Sequence, residues 1–289
     1  MRKGMLLFAV ALLSAMTANA QNLETLSVGK EKDGFYSRTV GNYIIEGNVK
    51  NGQKVGTWYE IYPEKQMIHR MVQYEKDAKS GVYLELEEGG SLLKKSEYLN
   101  DKLNGTTLTW FKGGRLSGKN TYKDDVLEGE QIKCYEQGGN QEIANYKDGE
   151  RDGLTTWFDQ DGNKVMSIEY KKGLFDGEQR TYYKDGTLKT LKTFKNNVQD
   201  GPAFEYYESG ALKSESNYKK GELSGKVKTY NDKPVESIQK MEKDAKEVDK
   251  NVKEKNIKEL KSVSKAEKKE IRNDLNKIDT KRIDEKKKP

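Results

Sequence analysis

One histidine, His69, and one cysteine, Cys134, are all the imidazole and thiol this chain carries. A zinc site takes several Cys and His ligands, so one copy of the chain cannot assemble the usual kind. A lone cysteine closes no internal disulfide and reads as a small buried hydrophobe. Carboxylates are plentiful, but Asp148, Asp152, Asp185 and Glu205 sit in a unit that repeats along the chain, and an active site is needed once. Gly-x-Gly patterns also recur without opening a helix after a strand, so they do not predict a phosphate cradle. The reading is a chain without catalytic residues, metal or cofactor.

Aromatic side chains recur instead. Tyr62, Phe111, Tyr135, Phe158, Tyr183 and Tyr207 form a row whose same-face neighbours are mostly polar (Glu85, Thr109, Lys133, Thr181, Glu205). Exposed aromatic rows serve as anchors at interfaces. Two readings stand: each ring waits for a partner, or each lies over the turn of the next unit and closes the array.

These rings are placed by a repeat. Gly56, Gly81, Gly105, Gly129, Gly153, Gly177, Gly201 and Gly225 open successive copies, 25 residues apart once and 24 thereafter. A second glycine follows at Gly90, Gly114, Gly138, Gly162, Gly186 and Gly210, and an aromatic at Tyr98, Tyr122, Tyr146, Tyr170, Phe194 and Tyr218. Such a period marks a solenoid, propeller or array. Within a copy, two short runs rich in Thr, Tyr, Trp and Phe are separated by turn clusters such as Lys184-Asp185-Gly186, which is the pattern of a β-hairpin. The glycines are assigned to turns, where positive φ favours them. No copy carries a helical period. The predicted fold is therefore mainly β: an elongated single-sheet array of about eight antiparallel hairpins. At ~4.8 Å per strand it would be roughly 75 Å long.

Strand parity predicts the two faces. Ile61, Leu86, Trp110, Cys134, Trp157, Tyr182, Tyr206 and Tyr230 form the packed column. Tyr62, Glu87, Phe111, Tyr135, Phe158, Tyr183, Tyr207 and Asn231 form the solvated one, if copy five is shifted by one residue into a longer turn.

Flanking segments differ in composition. Residues 1–20 read as a signal peptide: Arg2 and Lys3, an apolar run too short to span a bilayer, then Ala18-Asn19-Ala20, with cleavage between Ala20 and Gln21. The expectation is export to a periplasm, envelope or exterior, with no transmembrane segment left. Residues 21–55 are a lead-in in which Gly47–Gly56 is a half-repeat acting as a cap. Residues 56–234 are the array. Residues 235–289 hold no Gly, Trp, Tyr or Phe and combine 18 Lys+Arg with 13 Asp+Glu. A thin stripe from Ile238 to Val252 and a capping box at Ser264 and Glu267 predict a charged helical tail, its heptads short and broken for a coiled coil. Apart from signal and tail the chain is close to neutral, which leaves nucleic acid without an electrostatic footprint.

Gly201, Tyr206, Tyr207, Gly210, Leu212, Tyr218, Gly221 and Gly225 follow the spacing of one known unit. It resembles the variant MORN repeat, and the resemblance spans residues 47–231. It implies a β-hairpin array that works as a binding platform, with a protein as the expected partner. Bacterial relatives of this kind are similar to YwqK-type antitoxins, which neutralise a toxin by binding, so an antitoxin or envelope immunity protein is the second reading. A cell-wall glycan-binding module is the third, from a likeness to aromatic, glycine-rich wall-binding repeats.

Overall fold

The structure, a computed structural model, describes residues 22–232 and Lys269. The predicted signal peptide, its Ala20–Gln21 junction and, but for Lys269, the charged tail lie outside the described residues. Twenty-one strands form one open antiparallel sheet. Each copy is a hairpin, for example Leu174–Tyr182 with Leu188–Lys195, followed by Val198–Tyr206 with Leu212–Lys219. The second strand of one hairpin pairs with the first strand of the next, so the chain runs as a meander.

Two kinds of turn alternate along the two margins of the sheet. One is a two-residue turn with positive φ at both positions, as at Asp124-Asp125 (51° and 69°) and Asn196-Asn197 (48° and 68°). This geometry matches the twist of the flanking strands and tolerates Asn, Asp and Gly best. Each such turn is tied to the hairpin before it. The Asn197 amide donates to the Phe175 carbonyl at 2.9 Å, and the Phe175 amide donates to Asn197 Oδ1 at 2.7 Å. Asp77, Asp101 and Asp125 make the same side-chain bond to Lys54, Lys79 and Leu103. The other turn is wider: the Tyr183 amide donates to Thr187 O, and the Gly186 amide to Tyr183 O.

The opening glycines from Gly56 to Gly201 are not turn residues; Gly225 alone lies in a bend. Gly177 lies inside the strand Leu174–Tyr182, directly opposite Phe194, at a local irregularity in the ladder. Gly56, Gly81, Gly105, Gly129, Gly153 and Gly201 likewise oppose Tyr74, Tyr98, Tyr122, Tyr146, Tyr170 and Tyr218. At Gly177 φ is +132°, and an added Cβ would fall 2.1 Å from Glu169 Oε2. That carboxylate accepts from the amide of Glu178, and Glu97 does the same for Thr106. Glycine is needed because the backbone kinks under a reaching side chain.

Copy five corrects the expected register. Phe158 pairs with Lys164 as Tyr182 pairs with Leu188, so Phe158 belongs to the packed column. The wide turn begins at Asp159, whose amide donates to Asn163 O, and there is no one-residue shift. Trp157 points to the opposite face.

The lead-in is more than a half-repeat. Gly34–Val40 pairs with Tyr43–Lys50, which pairs with the first full copy. Ahead of these strands, Leu23, Leu26 and Val28 cover Trp58, Val72, Tyr74 and Tyr83. The face expected to be solvated is thus a core at this end. Trp58 lies so close over Gly47 that a Cβ there would be 2.1 Å from its ring. A second cluster occupies the opposite face: Ile68, Met71, Leu84, Leu86, Leu108 and Trp110. Adjacent Met71 and Val72 join different clusters, as strand alternation requires.

Candidate binding surface

The predicted aromatic row proves to be part of the scaffold's own bonding. Tyr135 Oη donates to Phe158 O at 2.8 Å, Tyr183 Oη to Tyr206 O at 2.8 Å, and Tyr207 Oη to Tyr230 O at 3.0 Å. Each phenol thereby reaches the packed-column carbonyl one copy ahead. Phe111 starts its wide turn, its amide donating to Arg115 O, and has no hydroxyl to extend. Tyr62 packs against Tyr43 and His69, with ring centroids 5.4 and 4.9 Å away. All six rings are half-buried.

His69 is buried in a polar knot beneath the lead-in. Its Nδ1 lies 2.8 Å from Glu60 Oε1, and its ring stacks on Tyr43 at 4.8 Å. Glu60 is wholly buried and accepts from the Leu23 amide at 2.9 Å, while Arg70 lies 3.4 Å away. Burial alone would push the Glu60 carboxyl up. The His69 and Leu23 bonds and the Arg70 charge outweigh it and hold the group below the ordinary carboxylate value. Lys54 completes the clamp by donating from Nζ to Leu23 O at 3.1 Å, and burial pushes its ammonium down. Cys134 lies in the packed column with its thiol pushed up to about 11 by burial, which suits an inert side chain.

A second such knot lies in copies four and five. Arg151 is ion-paired to Glu142 and lies over the rings of Tyr146, Trp157 and Tyr170 at 6.0, 5.6 and 5.5 Å. It continues a column in which Lys54 covers Tyr74 and Lys79 covers Tyr98. These cations sit on the aromatics that face the opening glycines, so their charge serves packing.

What remains available lies along the margin of two-residue turns. Lys123, Lys147, Lys171, Lys195 and Lys219 each follow that aromatic by one residue, so they point to the other face. All five are exposed, and among the described residues none is ion-paired. Opposite Lys123, Lys171 and Lys195 stand Val126, Leu174 and Val198, exposed by 42%, 38% and 43%. Leu99 takes the lysine's place in copy two and is 50% exposed. Successive copies are two strands apart, so the row repeats about every 10 Å. The sequence displays this lysine at the same period as the aromatics; reasoning from aromatic anchors passed it over.

The comparisons bear on the C-terminal end of this row, at Lys195 and Lys219. The MORN repeat variant matches residues 175–196 and 199–220. Each matched segment is one hairpin, holding Phe194 or Tyr218 opposite its opening glycine and ending one residue past Lys195 or Lys219. MORN repeats are associated with binding roles. The comparison with curated proteins finds no match. Among the described residues no helix is long and apolar enough to cross a membrane.

Proposed function

We propose that this chain is an exported, non-enzymatic scaffold that binds another protein along the margin carrying Lys123, Lys147, Lys171, Lys195 and Lys219. The observation that carries the reading is the regular row of unpaired cations beside exposed Val126, Leu174 and Val198. Five lysines about 10 Å apart beside aliphatic side chains fit an extended partner face that alternates acidic and apolar groups. The turn bonds support this: Asp125 and Asn197, in the turns after Lys123 and Lys195, are tied to the hairpin before them and hold the lysine row in register. A toxin neutralised by binding is the special case that the repeat's resemblance names. The test is capture from an envelope extract with the wild type and with Lys123→Glu, Lys171→Glu and Lys195→Glu combined. The same partner should be lost from the triple variant while its melting temperature is kept. Equal capture by both would remove this margin as the site.

A further inference from the structure

The two ends of an open sheet expose unpaired backbone, and here the ends differ. The last strand, Lys228–Thr229, is two residues long and sits among Lys226 and Lys228. Short, lysine-bearing edges resist further pairing. The first strand, Gly34–Val40, is seven residues long, with no proline, no lysine and no irregularity in its register. Among the described residues nothing hydrogen-bonds to its outer side through the backbone. Phe35 on it is 41% exposed.

The geometry points to a second copy of this chain as the occupant of that edge, with the two Gly34–Val40 strands antiparallel about a two-fold axis at Ser37. Which groups face outward decides the register. The two-residue loop Gly41-Asn42 makes Val40 and Tyr43 a hydrogen-bonded pair, and bonding alternates from there. Val40, Arg38, Tyr36 and Gly34 therefore spend their amides and carbonyls on Tyr43–Lys50. Phe35, Ser37 and Thr39 direct theirs outward. A two-fold axis at Ser37 sets Phe35 opposite the partner's Thr39 and Ser37 opposite the partner's Ser37. That register uses every outward amide and carbonyl of both strands.

Side chains agree with it. Arg38 comes to lie opposite the partner's Tyr36, a cation facing an aromatic, as Arg38 already lies 5.5 Å from its own Tyr36 ring. Each Arg38 keeps its ion pair with Glu31 at 3.0 Å, and no like charges stand opposed. An isologous contact of this kind closes at two copies, with the guarded ends pointing outward. The paired chain would present two lysine margins on one continuous sheet.

Sedimentation velocity of the full chain, expressed with its own leader, tests this. The wild type should sediment at twice the monomer mass. Phe35→Lys with Thr39→Lys, and separately Phe35→Glu with Thr39→Glu, change exposed side chains and set like charges opposite each other in the pair. Each double variant alone should be monomeric with an unchanged circular dichroism spectrum. Their equimolar mixture should return to the dimer mass, because lysine then faces glutamate. A monomeric wild type, double variants that stay dimeric, or a mixture that stays monomeric would each overturn the assignment.

Discussion

The phenol of Tyr183 donates to the carbonyl of Tyr206, 2.8 Å away and 23 residues later. The same bond runs from Tyr135 to Phe158 and from Tyr207 to Tyr230. These bonds join copies along the margin of wide turns, while the Asn and Asp turns join them along the other. A narrow sheet is thus held at both sides by contacts reaching only to the adjacent copy.

Tyr183→Phe deletes that staple and keeps the ring. A neutral hydrogen bond is worth about 1 kcal/mol net, so this is the expected loss. Phe111, which has no hydroxyl, shows that the position tolerates the change. Because each copy contacts only its neighbours, amide exchange should quicken around Tyr206 and not at Trp58. A uniform increase along the chain would mean that the array unfolds as one unit.

Two opening glycines make a matched pair. Gly177→Ala places a Cβ 2.1 Å from Glu169 Oε2 at φ +132°, displacing the carboxylate that holds the Glu178 amide. At Gly129 φ is +84° and nothing lies within 4 Å of the added carbon. Both substitutions carry backbone strain of about 1–3 kcal/mol, and only the first also breaks a bond. Gly177→Ala should lower the urea midpoint more than Gly129→Ala; equal losses would show that strain alone sets the cost.

Most of the fold was legible because its signals are local. Glycine and aromatic recur at fixed offsets since they face each other across one hairpin, as Gly201 faces Tyr218. Copy five was misread because Trp157-Phe158 imitates the Tyr182-Tyr183 doublet. Its wide turn is begun by Asp159, whose carboxylate accepts from the Asn163 amide at 2.8 Å, and aromatic spacing does not register that device. The covering of Trp58 by Leu23, Leu26 and Val28 was hidden for another reason. Those three residues have no strand or helix period, and their partners lie beyond two intervening strands. Lys54 and Glu60 carry no spacing that marks them out in the sequence. Only the fold shows that they grip both backbone groups of Leu23.

Truncation after Lys233 tests how far the array is self-contained. Copy eight is closed within the described residues by Tyr207 to Tyr230, by Ser209 to Asp232 and by the Lys228–Glu215 pair. A chain ending at Lys233 should stay soluble, with the strand signal of the full protein by circular dichroism. Aggregation of the truncated chain would make residues 234–289 an integral cap.

The Leu23 clamp makes stability depend on pH in a definite direction. The folded Glu60 carboxyl titrates below its ordinary value of 4.5, so the unfolded chain binds its proton first as acid is added. The stabilisation is fully present above 4.5 and is lost as pH falls through the folded value. Protonated Glu60 no longer accepts a full-strength bond from the Leu23 amide and no longer balances Arg70. The lead-in should loosen first and uncover Trp58. Trp58 fluorescence, followed in a chain with Trp110 and Trp157 replaced by Phe, should therefore shift to the red in acid before the strand signal is lost. Glu60→Gln removes the charge at every pH, so it should destabilise the chain at neutral pH and flatten this acid limb. An acid limb as steep in Glu60→Gln as in the wild type would assign the pH dependence to other carboxylates and leave the clamp a neutral packing contact.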